Sequence, residues 1–304
     1  MKTYTKNLIQ LHIAVFLFGF AALFGKFLAV SPIVIVLGRT FFASIALILV
    51  LIYSKQKIKL NSIKDFLFLM FIGIIYAIHW FAFFESVQIS NVAIAVLTFS
   101  TFPVFVTFLE PVFFNEKIRM LDIFTASATL IGVSLVIPRF ELTDNFTRGA
   151  LWGVIAGFTC AILVIACRKY VTKYSSTIIA FYQHLGAASI SLPFVIAIKP
   201  TLGLKEILLL ILLGILFTAV TQTLYISSLT TIKAQLASII TCLEPVYAIL
   251  FAAVLLNEVP NFRTFIGGIV ILGTALYATI KSSKKNNEDV TVSKVTTEEI
   301  PVEI

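Results

Sequence analysis

Long apolar runs separated by short polar clusters dominate this chain. Runs of the roughly 20 apolar residues that an α-helix needs to cross a bilayer can be read at 8–30, 32–53, 63–85, 91–114, 120–138, 148–168, 177–198, 205–228, 234–256 and 262–281. Turn and interface signals lie between them: Ser31-Pro32, the lysine-rich stretch 53–64, and the clusters 115–119, 138–148, 169–176, 199–205 and 257–263. The pattern predicts an all-α integral membrane protein of ten transmembrane helices. Lys2 and Lys6 precede the first run as they would in a secretion signal. That run is too long for a signal core, lacks a small-x-small cleavage site and leads at once into another span, so it reads as the first membrane helix.

The second half of the chain repeats the first. Pro103-Val104 recurs as Pro245-Val246 and Asn115-Glu116 as Asn257-Glu258, both 142 residues apart. The same offset pairs Phe83 with Tyr225, Ser86 with Ser228 and Ala95 with Ala237; Gly132 meets Gly273 after a one-residue slip, and Ser31 faces Ser175 at a slightly larger offset. Five spans per half is an odd number, so the second copy is expected to enter the membrane from the opposite side, with Glu116 inside and Glu258 outside. Inverted repeats of this kind are common in secondary transporters, where two copies exchange conformations and open one central site to either side.

Composition agrees with a membrane. The chain is 59% hydrophobic and 12% charged, with mean hydropathy +1.03, whereas soluble domains carry about a quarter charged residues. A net charge of +8 would suit a nucleic-acid binder only if the cations shared one face, and here they fall between apolar runs. With the N-terminus inside, fifteen Lys and Arg residues fall in cytoplasmic segments and only Arg139, Arg148, Lys199, Lys205 and Arg263 outside, as the positive-inside bias requires. The chain is therefore expected to lie in the cell membrane, in bacteria the inner one, with both termini in the cytoplasm. Residues 282–304 are too polar to fold alone and read as a disordered cytoplasmic tail. Cys160, Cys167 and Cys242 all lie in apolar runs and read as packing residues.

Each half also ends with a Pro in a membrane helix followed 13 residues later by a Glu at the next turn: Pro103 with Glu116, and Leu243-Glu244-Pro245-Val246 with Asn257-Glu258. Each begins with a helix leading to a Ser-Pro or Ser-Ser turn, and Arg39 lies just after the first. This resembles the EamA family of the drug/metabolite transporter superfamily over roughly residues 8–280. The resemblance implies two inverted five-helix EamA repeats, 1–140 and 141–281, with alternating access through a cavity lined mainly by helices 1, 3, 4, 6, 8 and 9. It implies export of amino acids or related metabolites first, with S-adenosylmethionine uptake or exchange, or multidrug efflux, as alternatives.

Ionisable groups in hydrocarbon are costly and mark candidate sites. Glu244 in span 9 heads the candidates. It adjoins a stripe of Ala234, Ala237, Ser238, Thr241, Pro245, Ala248 and Ala252, whose alanines read as helix packing. Pro245 frees the carbonyl of Thr241, placing an acceptor beside the carboxylate. In span 3, His79-Trp80 with Tyr76 and Phe83 a turn away combines an imidazole that titrates near neutrality with aromatic walls; an aromatic belt at the outer interface explains it equally well. Gln222 and Tyr225 share a face of span 8, and Trp152 and Thr159 in span 6 are weaker candidates. Pro103 and Pro245 are expected hinges. Arg39 and Lys26 are expected to snorkel to the outer headgroups, Glu110 to snorkel or cap near the cytoplasmic end, His12 to be interfacial, and Asn115-Glu116 and Asn257-Glu258 to cap turns. His184 is peripheral by the resemblance. Glu244 or His79 could couple transport to protons.

The partners expected are a small-molecule substrate and lipid, with no nucleic acid, metal or cofactor. A membrane enzyme is the rival class. It needs clustered acids, histidines or a nucleophile with a base, but Asp65, Asp122, Asp144 and Asp289 fall in loops or the tail and the three histidines on different spans. No Gly-x-x-x-x-Gly-Lys motif for ATP occurs.

Overall fold

The computed structural model describes residues 2–114, 120–137, 141–170, 173–228, 231–232 and 240–277. Its regular structure is all helical: α1 (Lys2–Ala21), α2 (Phe24–Phe27), α3 (Pro32–Tyr53), α4 (Ile63–Ile89), α5 (Val92–Phe99), α6 (Phe102–Phe114), α7 (Met120–Val136), α8 (Asn145–Tyr170), α9 (Ser176–Ile198), α10 (Leu204–Gly214), α11 (Thr221–Ser228), α12 (Glu244–Leu255) and α13 (Phe262–Tyr277). Local chemistry sets several starts. Pro32 opens α3 with its φ already helical, and the side chains of Ser62 and Asn91 accept from Asp65 N and Ile94 N to cap α4 and α5.

Among the described residues, six segments are long and apolar enough to cross a membrane: Tyr4–Phe27, Pro32–Tyr53, Ile63–Ile89, Asn145–Ala166, Ser176–Ile198 and Leu204–Ser228. Four shorter apolar helices, Val92–Val106, Ile123–Val136, Glu244–Leu255 and Phe262–Tyr277, lie where the apolar runs place spans 4, 5, 9 and 10. Large hydrophobic side chains such as Leu49, Leu67, Phe194, Leu250 and Phe265 are exposed along the helices, a surface suited to lipid and not to water. The chain is thus a multi-pass membrane protein.

Two of the shorter segments are broken. α5 gives way to α6 across Ser100-Thr101, and the helical turn at 240–241 gives way to α12 across Cys242-Leu243. Each break sits two residues before a proline, Pro103 or Pro245, and the two breaks are again 142 residues apart. Proline has no N–H to donate and crowds the preceding turn, so each helix restarts with its proline in the first turn.

Helices of the two halves interleave. The broadest contacts join α4 to α8 and α9 and α3 to α9; α5 and α6 also pack on α8, and α1 on α11 and α12. Glycines permit the closest approaches: a Cβ built on Gly73 of α4 would stand 2.7 Å from Gly186 Cα of α9. Along α8, Gly149, Gly153 and Gly157 recur every fourth residue against the end of α4 and against α5 with the break that follows it. A Cβ on Gly157 would come 2.8 Å from Thr101 Oγ1.

Between α10 and α11, residues Ile215–Val220 form a π-helical stretch. The hydroxyls of Thr218 and Thr221 donate to carbonyls five residues back, Leu213 O and Leu216 O, both at 2.8 Å. Such widened turns recur at functional sites.

Candidate functional site

The buried face of α3 runs Ile35, Val36, Arg39, Thr40, Ala43, Ser44, Leu47 and Leu51, so helical periodicity turns Arg39 inward. It lies about 10 Å along α3 at 1.5 Å per residue and is 0% exposed. This corrects the expectation of snorkelling: the side chain is long enough to reach headgroups but leaves the helix on the wrong face. Its guanidinium carbon sits 3.5 Å over the Trp80 ring and 5.5 Å from that of Phe84. Nε donates to Thr218 Oγ1 at 3.1 Å, and that hydroxyl donates onward to Leu213 O. Among the described residues, the two terminal nitrogens of Arg39 have no hydrogen-bond partner, and neither does the indole Nε1 of Trp80.

α4 supplies the walls. Tyr76, His79, Trp80 and Phe83 are all buried, with Trp80 edge-on to Tyr76, His79 and Phe83 at ring distances of 6.0, 4.9 and 5.5 Å. Burial in the bundle interior rules out the aromatic-belt reading. His79 Nδ1 lies 2.9 Å from the carbonyl of Ala156 on α8; a carbonyl only accepts, so Nδ1 is assigned as the protonated nitrogen. His184 of α9 is likewise fully buried, 5.0 Å edge-on from Tyr76, and neither of its ring nitrogens has a partner. The expectation of a peripheral His184 is therefore also corrected, because α9 packs against α3 and α4.

Glu244 opens α12, 8% exposed, where the positive end of the helix dipole favours a carboxylate. It forms no hydrogen bond to the terminal nitrogens of Arg39. Thr241 lies half-buried just before the break, and Pro103 and Pro245 are buried beside theirs. Of the other candidates, Trp152 packs on Phe81, Tyr225 is edge-on to Phe18 of α1, and Gln222 is half-buried on α11. Thr159 donates to the carbonyls of Ile155 and Ala156, sharing the latter with His79. Ser238, the alanines 234 and 237, Asn115, Glu116, the side chain of Glu110 and the tail lie outside the described residues.

Polar contacts close the bundle at both ends. Where α4 finishes and α5 begins, Lys26 donates to Ser90 O at 2.9 Å and Gln88 O at 3.4 Å and lies 3.7 Å from Glu258. Glu258 in turn accepts from Val92 N at 2.9 Å. Lys26 thus satisfies neighbouring backbone instead of reaching for headgroups, and Glu258 caps a helix of the other half, not its own turn. Where α4 begins, Asp65 accepts from Lys173 at 2.5 Å and Tyr174 at 2.6 Å, and Asn7 donates to Thr231 at 2.7 Å. Both sets tie one half to the other.

The buried polar groups here are a guanidinium fork, an indole N–H, two imidazoles and a carboxylate, among several aromatic rings. That composition suits holding a polar solute, and among the described residues no group of three or more His, Cys, Asp or Glu could hold a metal ion. A family model for the EamA-like transporter family matches residues 5–137 and again 147–280. The chain is similar to YxxF, an uncharacterized transporter of Bacillus subtilis (strain 168), at 24% identity over 94% of this chain and 93% of that one. It is similar to S-adenosylmethionine uptake transporters of Rickettsia bellii (strain RML369-C) and Rickettsia conorii (strain ATCC VR-613 / Malish 7). Those alignments show 28% and 26% identity over 81% and 82% of this chain and 83% of each relative. A solved crystal structure shares the fold with a TM-score of 0.64 at 17% identity, over 92% of this chain and 98% of that one.

Proposed function

This chain belongs to the EamA-like transporter family, and on that premise we propose that it is a secondary transporter carrying a small polar metabolite across the cell membrane by alternating access. The six long helices and four shorter ones make ten spans in this reading. The two five-span halves are then inverted and both termini cytoplasmic. One observation carries the proposal: Arg39, Tyr76, Trp80, His184 and Glu244, drawn from both halves, are buried together between two polar end closures. Bending at Ser100-Thr101 and Cys242-Leu243 would loosen one closure while the other holds. S-adenosylmethionine is the first solute to test, because of the relatives named for it, and amino acids the second.

In proteoliposomes, labelled S-adenosylmethionine or an amino acid is expected to enter against unlabelled solute inside. Glu244→Gln should slow that entry about tenfold or more, since it removes a buried charge that meets the solute, while leaving the protein monodisperse. Labelled solutes that all stay outside would end the transport reading. A rate indifferent both to a pH gradient and to Glu244→Gln would end proton coupling through Glu244.

A further inference from the structure

Arg39 presents an unusual surplus of donors. Buried polar groups are hydrogen-bonded in the great majority of cases, and a buried charge left unpaired is strongly destabilising. Yet two guanidinium nitrogens, the Trp80 indole nitrogen and both nitrogens of His184, on three different helices, have no partner. The orientation of the fork is also fixed. Its flat face rests on the Trp80 ring and its Nε side is held by Thr218, which leaves the end-on edge, the pair of terminal nitrogens, free.

Resting on the transport reading of this site, we infer that the end-on edge of Arg39, helped by Trp80 Nε1, is a carboxylate-binding subsite for the solute. The planar two-donor edge of an arginine matches the two oxygens of a carboxylate in one bidentate contact. A phosphate monoester fits worse. It brings close to two negative charges at neutral pH, whereas the site offers one full cation. The stacked indole is a positioning element, since it keeps the guanidinium plane from turning.

Matched pairs of compounds test this on the full chain in detergent, by ligand-induced thermal stabilisation and calorimetry: tryptophan against tryptamine, and S-adenosylmethionine against its decarboxylated form, with inorganic phosphate alongside. At least one acid is expected to bind the wild type ten times or more tighter than its decarboxylated partner, as a charge-assisted bidentate contact implies. Arg39→Gln should bring the pair within about threefold, and Arg39→Lys should restore part of the preference. Trp80→Phe keeps a ring under the guanidinium and deletes the N–H; it should weaken acids several-fold and spare amines, and it stands as the test if Arg39→Gln does not fold. Amines binding as tightly as acids, acid preference surviving Arg39→Gln, phosphate binding tighter than any acid, or no acid binding at all would each overturn the inference. An acid that binds but never crosses a liposome membrane would overturn the transport reading and leave the subsite standing.

Discussion

Gly73→Leu is expected to abolish recovery of monodisperse protein. A Cβ at position 73 would lie 2.7 Å from Gln183 O, 2.7 Å from Gly186 Cα and 2.9 Å from Ala187 N. All three are backbone atoms of α9, so no side chain can swing aside and the two helices must part. Overpacking by a methylene or two costs about 1–3 kcal/mol where neighbours can adjust, against a total stability of about 5–15 kcal/mol; here they cannot adjust and a whole isobutyl group is added. Gly73→Ala should already lower the melting midpoint by several degrees. Gly273→Ala is the control, because a Cβ there meets nothing within 4 Å, and its elution profile and midpoint should match the wild type. A normal profile for Gly73→Leu would mean that α4 and α9 do not meet at these glycines.

The second large effect is expected at Asp65. Its carboxylate is buried and accepts from both Lys173 and Tyr174, while Tyr174 also accepts from Asn61 N at 2.9 Å. Although the Lys173 end of the pair is part-exposed, Asp65→Ala removes the shared acceptor, strands the Tyr174 hydroxyl and should lower the melting midpoint by several degrees. Asp65→Asn keeps an acceptor and should recover part of it; equal midpoints for the two variants would place the effect elsewhere. The same tie has a pH signature. The hydrogen bond that Lys173 donates to Asp65 holds its ammonium protonated above its usual range. A group with a raised folded pKa stabilises fully below its unfolded value of about 10.4 and loses that contribution as pH climbs through the folded one. Wild type should therefore lose more of its midpoint above pH about 10 than Lys173→Gln does.

Much of this architecture was legible in the residues. Apolar runs located the helices, and the 142-residue repeat of Pro103 as Pro245 foreshadowed two breaks at matching places. His79, Trp80 and Tyr76 were legible as a possible site because they crowd one helix with polar and aromatic groups. Arg39 was misjudged because reach, the basis of snorkelling, says nothing of direction; the spacing Arg39, Ala43, Leu47, Leu51 along one buried face was the missed signal. His184 followed the resemblance into the periphery, although Ala180, Ala187 and Ala188 around it already hinted at close packing. The every-fourth-residue glycines at 149, 153 and 157 were equally readable. Trp152 and Tyr225 are aromatic for packing on Phe81 and Phe18, which no local pattern distinguishes from lining a cavity. The π stretch has no local signature, since its wider turn is decided by what surrounds it.

That wider turn has a consequence for the balance between states. Ile215–Val220 holds one residue more than an α turn would, as a single insertion leaves behind when the rest of a helix must keep its facing. Residues 73–78, at the corresponding place in the first half, lie in unbroken α4. The two copies are therefore lopsided where Thr218 anchors Arg39. On the alternating-access reading proposed above, a carrier made of unequal copies has two unequal postures even with the same solution on both sides, and rests in the one its own sequence favours.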